Sequence, residues 1–155
     1  MDSPVIVNII QEWREKANNY ARQAGYLSMK TGKLAEYAVI DHFRKQGVFV
    51  REDLTPPDKP DYFDINLGNT LVDVKSCMAP AKELRVTKDL FDRGRRFAFY
   101  IGVQISKDIK TAKIFGFCTK DEVAKGRVKT VGTRVCYVLP FSSLKPIEKL
   151  VNSFR

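Results

Sequence analysis

A chain of 155 residues fits one domain around a single core, and 44% hydrophobic against 29% charged residues excludes a disordered polyelectrolyte. Its 27 Lys and Arg outweigh 18 Asp and Glu, leaving a net charge of +9. That balance points to a polyanionic partner, because cationic side chains neutralise phosphates and release condensed counterions. No apolar run is long enough to span a bilayer, and MDSPVIVNIIQEWREK lacks the basic start of a signal peptide. A cytoplasmic setting, in a prokaryotic cell or a virus-infected host cell, is therefore expected. Cys77, Cys118 and Cys136 are far apart, with no CxxC pair. They exclude a zinc ribbon, a disulfide framework and a four-thiolate cluster, and they predict buried, reduced thiols.

Ile6, Ile9, Ile10, Trp13, Ala17, Tyr20, Ala21 and Ala24 recur at helical spacing, so residues 1–25 are expected to form an N-terminal helix ended by Gly25. After the loop YLSMK, Thr31 is a candidate N-cap for a second helix, GKLAEYAVIDHFRKQ, which stops at Gly47. VFVRE is a short strand candidate. DLTPPDKP holds three prolines and excludes regular structure. DYFDIN and TLVDVKS flank a Gly68-Asn69 turn and predict a hairpin. KELRVTKDLFDRGRR is basic and expected to be partly helical. FAFYIGVQI is apolar throughout, as in a central strand, and KTAKIFGFC is a further strand. Thr119 caps a short helix, TKDEVAKG, and RVCYVLP is a late strand. The last helix begins near Ser143, carries Pro146 in its first turn, and has Leu144, Ile147, Leu150, Val151 and Phe154 as its apolar stripe. This order predicts a single α/β (α+β) domain with a mixed sheet flanked by helices, residues 31–118 forming its core and 119–155 a terminal strand and helix.

Candidate chemistry starts at Asp73-Val74-Lys75. In a strand, Asp73 and Lys75 share one face while Val72 and Val74 take the other. Asp61 follows Pro60 at the start of the preceding strand, and the hairpin can fold it back toward Asp73. Converging carboxylates suit Mg²⁺, which prefers hard oxygen ligands. A neighbouring lysine can position a water and offset phosphate charge. Asp64 is the alternative to Asp61, and their odd separation puts them on opposite faces of an unbroken strand. On the second helix, Ala35, Val39, Ile40 and Phe43 define the apolar face, and Glu36 falls within it. A carboxylate there is costly unless metal-bound or paired, so the alternative role for Glu36 is a buried salt bridge. The single histidine, His42, lies on the polar side and is expected to be solvated, which leaves little from which to build a Ser-His-Asp triad.

From Gly32 to Ser76, with GKLAEYAVIDHFRKQG, KPDYFDIN and TLVDVKS in that order, the chain resembles the PD-(D/E)xK nuclease superfamily, the restriction-endonuclease-like fold. The strands from Phe97 to Phe117 sit where that family's sheet continues. The resemblance implies a catalytic set of Glu36, Asp61, Asp73 and Lys75. It implies that Glu36, Asp61, Asp73 and the Val74 carbonyl hold one or two Mg²⁺ ions, with Mn²⁺ able to substitute, and that no small-molecule cofactor is needed. The implied reaction is hydrolysis of DNA to 5′-phosphate and 3′-hydroxyl ends. Lys30, Lys33, Arg51, Arg85, Lys88, Arg93, Arg95 and Arg96 are candidates to grip double-stranded or branched DNA. The small size is similar to that of archaeal-type Holliday junction resolvases, in which Arg51 would match a strand end. Their Ser-Gly loop is replaced here by DLTPPDKP. Small restriction-like or mobile-element nucleases fit equally, and a homodimer is expected by analogy with cutters of both strands. The competing reading is a non-catalytic nucleic-acid-binding module on the same fold.

Overall fold

A computed structural model describes residues 4–25, 29–52, 65–94 and 97–155. The elements run β1 (Val5–Asn8), α1 (Gln11–Ala24), α2 (Met29–Lys45), β2 (Arg51–Glu52), β3 (Ile65–Leu67), β4 (Thr70–Met78), β5 (Glu83–Thr87), α3 (Lys88–Asp92), β6 (Phe99–Ile105), β7 (Thr111–Thr119), α4 (Lys120–Ala124), β8 (Arg127–Val131), β9 (Arg134–Pro140) and α5 (Ile147–Phe154). Six strands form a mixed sheet in the order β1-β7-β6-β4-β3-β2, and β5-β9-β8 form a second, antiparallel sheet. The single parallel pair described in the large sheet is β4 with β6, with Asp73 beside Tyr100 and Lys75 beside Gly102. The fold class is thus the mixed α/β arrangement expected, a mixed sheet with helices packed on it.

Side-chain alternation on β4 and β6 divides the interior. Val72, Val74, Ile101, Val103 and Ile105 point into the larger core, with Leu34, Ala35, Ala38 and Val39 of α2 and Ile147, Leu150 and Val151 of α5. Tyr100 takes the opposite face. It joins Leu84 and Val86 of β5, Leu139 of β9, Phe91 of α3 and Cys118 in a second core. Asp73, in register with Tyr100, lies on this second face, between the large sheet and the small one.

Several boundaries differ from expectation. Residues Val5–Asn8 are a strand paired with β7 rather than the first turn of a helix, and Ile6 is 62% exposed. Val-Ile-Val suits a pleated strand, and three apolar residues alone do not separate period two from period 3.6. Gly25 ends α1 as expected, at φ 79. The helix α2 starts at Met29, which puts Thr31 inside its first turn. The basic segment expected to be partly helical splits into β5, whose Leu84 and Val86 alternate inward, and the short α3. The strand β8 was not foreseen, because Arg127–Thr130 are all exposed and leave no hydrophobic alternation to read. The Gly68-Asn69 turn and the Thr119 capping box both form. His42 is half-buried rather than solvated, and burial lowers its pKa. Cys118 and Cys136 are buried and Cys77 half-buried, and all three are free thiols.

Gly116 marks the tightest crossing. Phe117 and Lys145 exchange backbone hydrogen bonds of 2.9 Å in both directions. A Cβ on Gly116, at φ +148, would stand 2.2 Å from the Lys145 carbonyl oxygen. Backbone cannot yield as a side-chain tip can, so Gly116→Ala should cost about 2–4 kcal/mol in a denaturant titration. Gly132→Ala, at φ +62 with open space around it, should cost about 1 kcal/mol. Equal losses for the two would contradict the crossing.

Candidate active site

The strand β4 runs with Val72 and Val74 anchored in the larger core, and this fixes Asp73 and Lys75 on the other face. Asp73 is buried and Lys75 half-buried, with Nζ 2.9 Å from Oδ2. The helix α2 packs on β4 and contributes a second pair. Glu36 is 4% exposed and Lys33 7%, and Lys33 Nζ stands 3.3 Å from Glu36 Oε2. The Lys33 ammonium also lies over the Tyr20 ring, 4.3 Å from its centre. Both pairs, with Val74 and Ser76, line one cleft of about 510 Å³. Thr87, Leu90, Phe91, Tyr100 and Arg134 form its other walls.

Each buried carboxylate is therefore matched by an ammonium, as the cost of burying an unpaired charge requires. The buried salt bridge weighed as the alternative for Glu36 is present, with Lys33 as its partner. Lys33, a candidate for the phosphate grip, is buried within the cleft wall, because it falls three residues before Glu36 on the packed face of α2. Its pairing with Glu36 and the place of Tyr20 beside it in the cleft are not among the sequence expectations. Their signal was the pairing of Lys33 with Glu36 at helical spacing.

Asp61, Asp64, Arg95 and Arg96 lie outside the described residues. Arg51 is exposed on β2 and Lys30 half-buried at the start of α2. Arg85 pairs with Glu83 at 3.2 Å, Arg93 with Asp89 at 3.1 Å, and Lys88 with Asp92. These are partly exposed pairs, screened by solvent and weak, so an incoming phosphate can compete for the cations. Among the described residues no group of three His, Cys, Asp or Glu is placed to hold a metal. The two described carboxylates in the cleft are hard oxygen donors, which suit Mg²⁺ rather than a thiophilic ion.

Tyr100 closes the cleft floor beside Asp73. Burial pushes its pKa from the ordinary 10.0 up to about 12, although the Phe97 N–H donates to its hydroxyl oxygen at 3.3 Å. Burial likewise raises the Cys118 thiol from 9.0 to about 12. Both groups stay neutral across the physiological range, leaving the two lysine–carboxylate pairs and Arg134 as the charges of the described cleft.

Among families of known sequence, the model of one described as "Protein of unknown function (DUF1822)" matches residues 76–153, half of the chain. None of the curated proteins matches. Among solved structures, the chain is similar to Hjc, a Holliday junction resolvase from the archaeal hyperthermophile Archaeoglobus fulgidus. That similarity has 15% identity, covers 77% of this chain and 98% of that one, and has a TM-score of 0.43. No helix described is long and apolar enough to cross a membrane.

The raised Tyr100 and Cys118 values set an alkaline limit. The folded state holds both protons more tightly than the unfolded chain, so their contribution is full below about pH 9 and is lost as pH climbs toward about 12. Thermal midpoints should hold up to about pH 9 and then fall steeply. The double variant Tyr100→Phe/Cys118→Ala should show a shallower fall, and a wild-type curve flat to pH 12 would contradict the burial of both groups.

Proposed function

The chain belongs to that family of proteins of unknown function, and we propose that it is a Mg²⁺-dependent DNA endonuclease. The observation that carries this reading is the convergence of Glu36, Asp73, Val74 and Lys75 in one cleft of about 510 Å³. These are the described members of the set that the PD-(D/E)xK resemblance implies. Asp61 is the proposed third carboxylate. Glu36, Asp61, Asp73 and the Val74 carbonyl would hold Mg²⁺, with Mn²⁺ as a substitute. When bound, the ion supplies charge stabilisation at the phosphoryl oxygens and makes a coordinated water more acidic.

The chain's own residues do the rest. The core packing of Val72 and Val74 holds Asp73 and Lys75 on a rigid strand, so neither must be ordered at the moment of reaction. Lys75 hydrogen-bonds the attacking water and offsets charge building on the phosphate. Lys33 fixes the Glu36 carboxylate against the cleft wall. Tyr100, held as a neutral phenol, adds no negative charge beside the phosphate. The water oxygen forms a bond to phosphorus and gives up a proton to solvent, the bond from phosphorus to the 3′-oxygen breaks, and that oxygen leaves with a proton from solvent. The products carry 5′-phosphate and 3′-hydroxyl ends. Double-stranded or branched DNA is the proposed substrate, and a homodimer the proposed form for cutting both strands.

One observation favours the alternative, a nucleic-acid-binding module without catalysis. Each described carboxylate already has a lysine within 3.3 Å, which satisfies it with no ion. A panel of linear, nicked, flapped and four-way DNA, incubated with Mg²⁺ or with EDTA, separates the two. Metal-dependent cutting of at least one form is expected. Lys75→Ala should lose at least about 100-fold in cleavage rate while DNA affinity stays nearly unchanged, and Asp73→Asn should demand more Mg²⁺. Binding of every form with cutting of none would favour the module.

A further inference from the structure

We propose that the outward face of the β5-β9-β8 sheet is a second DNA contact, a surface for the phosphate backbone of a duplex that leads into the cleft at Arg134. This rests on reading the cleft as a DNA-cutting site. The argument begins with alternation. Leu84, Val86 and Leu139 point inward, into the core against Tyr100. Their neighbours in sequence must therefore point outward. On β5 these are Glu83, Arg85 and Thr87. On β9 they are Arg134, Cys136 and Val138. The pairing then assigns β8: Arg127 is in register with Val138, and Lys129 with Cys136. Arg85 is also in register with Val138, so Arg85 and Arg127 flank it from opposite sides.

The outward face thus carries Arg85, Arg127 and Lys129 with one strand acid, Glu83, and Arg134, of the same parity at the end of β9, reaches round the sheet edge into the cleft. Cys136 and Val138 are 6% and 4% exposed although they face outward, as expected where long cationic side chains flank a central strand. Glu83 is shared between Arg85 at 3.2 Å and Lys129 at 3.7 Å. Among the described residues no salt bridge holds Arg127 or Arg134. Counting Arg134, four cations and one anion leave these strands an excess of three positive charges, which a phosphate backbone would neutralise.

Position adds to charge. Arg134 and Thr87 line both the cleft and the neighbouring groove between α3 and the β8-β9 hairpin. The basic face is therefore continuous with the proposed site of cutting. Along β8, Arg127 and Lys129 are about 6.8 Å apart. One strand of B-DNA rises about 3.4 Å per phosphate along the axis and each phosphate is also displaced around the helix, so the two can meet neighbouring phosphates. No aromatic side chain lies among the outward residues of this face, so base stacking, the mark of single-strand binding, has no platform here. Charge of this kind reads backbone and not sequence.

The test is anisotropy of a labelled DNA duplex in EDTA, over a series of KCl concentrations, with Arg127→Glu/Lys129→Glu and with Arg134→Glu. The double variant should bind at least about 10-fold more weakly, and its plot of log affinity against log salt should be shallower by about 2. Unchanged affinity and slope would overturn the proposal. A duplex RNA bound as tightly as DNA through the same residues would overturn the assignment to DNA. Should the charge reversals fail to fold by circular dichroism, Arg127→Ala and Lys129→Ala, at exposed positions, report the same slope. Cleavage of the same duplex in Mg²⁺ keeps the two proposals apart. A face whose reversal abolishes binding by a wild type that never cuts would uphold the surface and overturn the nuclease. A wild type that cuts, with binding indifferent to the face, would do the reverse.

Discussion

Two carboxylates, Glu36 and Asp73, are kept almost wholly out of water, each against a lysine from its own element. Much of the architecture can be read as what that requires. A carboxylate on the packed face of a helix is tolerable only if something cationic reaches it. Lys33 does so from three residues earlier, and Tyr20 of α1 covers the ammonium from the far side. On β4, the valines that lock the strand into the larger core force Asp73 and Lys75 together on the reverse face. The helix and the strand are packed on each other, so the two pairs come to share one cleft.

The second sheet completes this arrangement. Without it, the face of β4 and β6 that carries Asp73 and Tyr100 would be open to solvent. Leu84 and Val86 of β5, Phe91 of α3 and Leu139 of β9 pack against it and turn that face into the floor of a cleft. The seam is close. A Cβ at Gly102, beside Lys75 in the sheet, would stand 2.7 Å from the Phe141 ring, so only glycine lets the turn at Phe141–Ser143 settle there. The same small sheet presents its charged side outward. One strand alternation thus supplies both the apolar cover of the cleft and a basic surface beside it.

The faces taken by Asp73, Lys75 and Glu36 were legible in the sequence, as was the fold class, while several elements of the frame were not. Asp73 and Lys75 could be assigned to one face because period two is strict, and Glu36 to the packed side of α2 because its apolar neighbours are unambiguous. The hairpin turn at Gly68-Asn69 and the cap at Thr119 were readable from turn and cap chemistry that acts within four residues. What could not be read were elements whose stability comes from distant partners. The strand β1 forms by pairing with β7, more than one hundred residues away in sequence. The strand β8 is exposed along nearly all its length and exists because β9 offers it hydrogen bonds. In the segment from Glu83 to Asp92, five residues of alternation pass directly into a one-turn helix, and a single average over both looks like neither. Lys33 was misjudged for a related reason: taken alone it is a solvated lysine, and only the depth at which α2 packs makes it a counter-ion.

That counter-ion role bears on how the cleft would meet a substrate. Two carboxylates and two ammonium groups cancel, and Arg134 on the wall leaves the described cleft an excess of one positive charge, within a chain of net charge +9. A polar cleft with so small an excess admits a phosphate without holding it strongly. A divalent cation among the carboxylates would leave the same four side chains with a net positive charge, in a region where partial burial makes each charge count for more than in water. Under the proposed function, cation and phosphate would therefore reinforce each other's binding, because each relieves the charge the other introduces. The lysines would then serve in both states: as partners that keep buried carboxylates ionised, and as cations facing the phosphate once those carboxylates are engaged elsewhere.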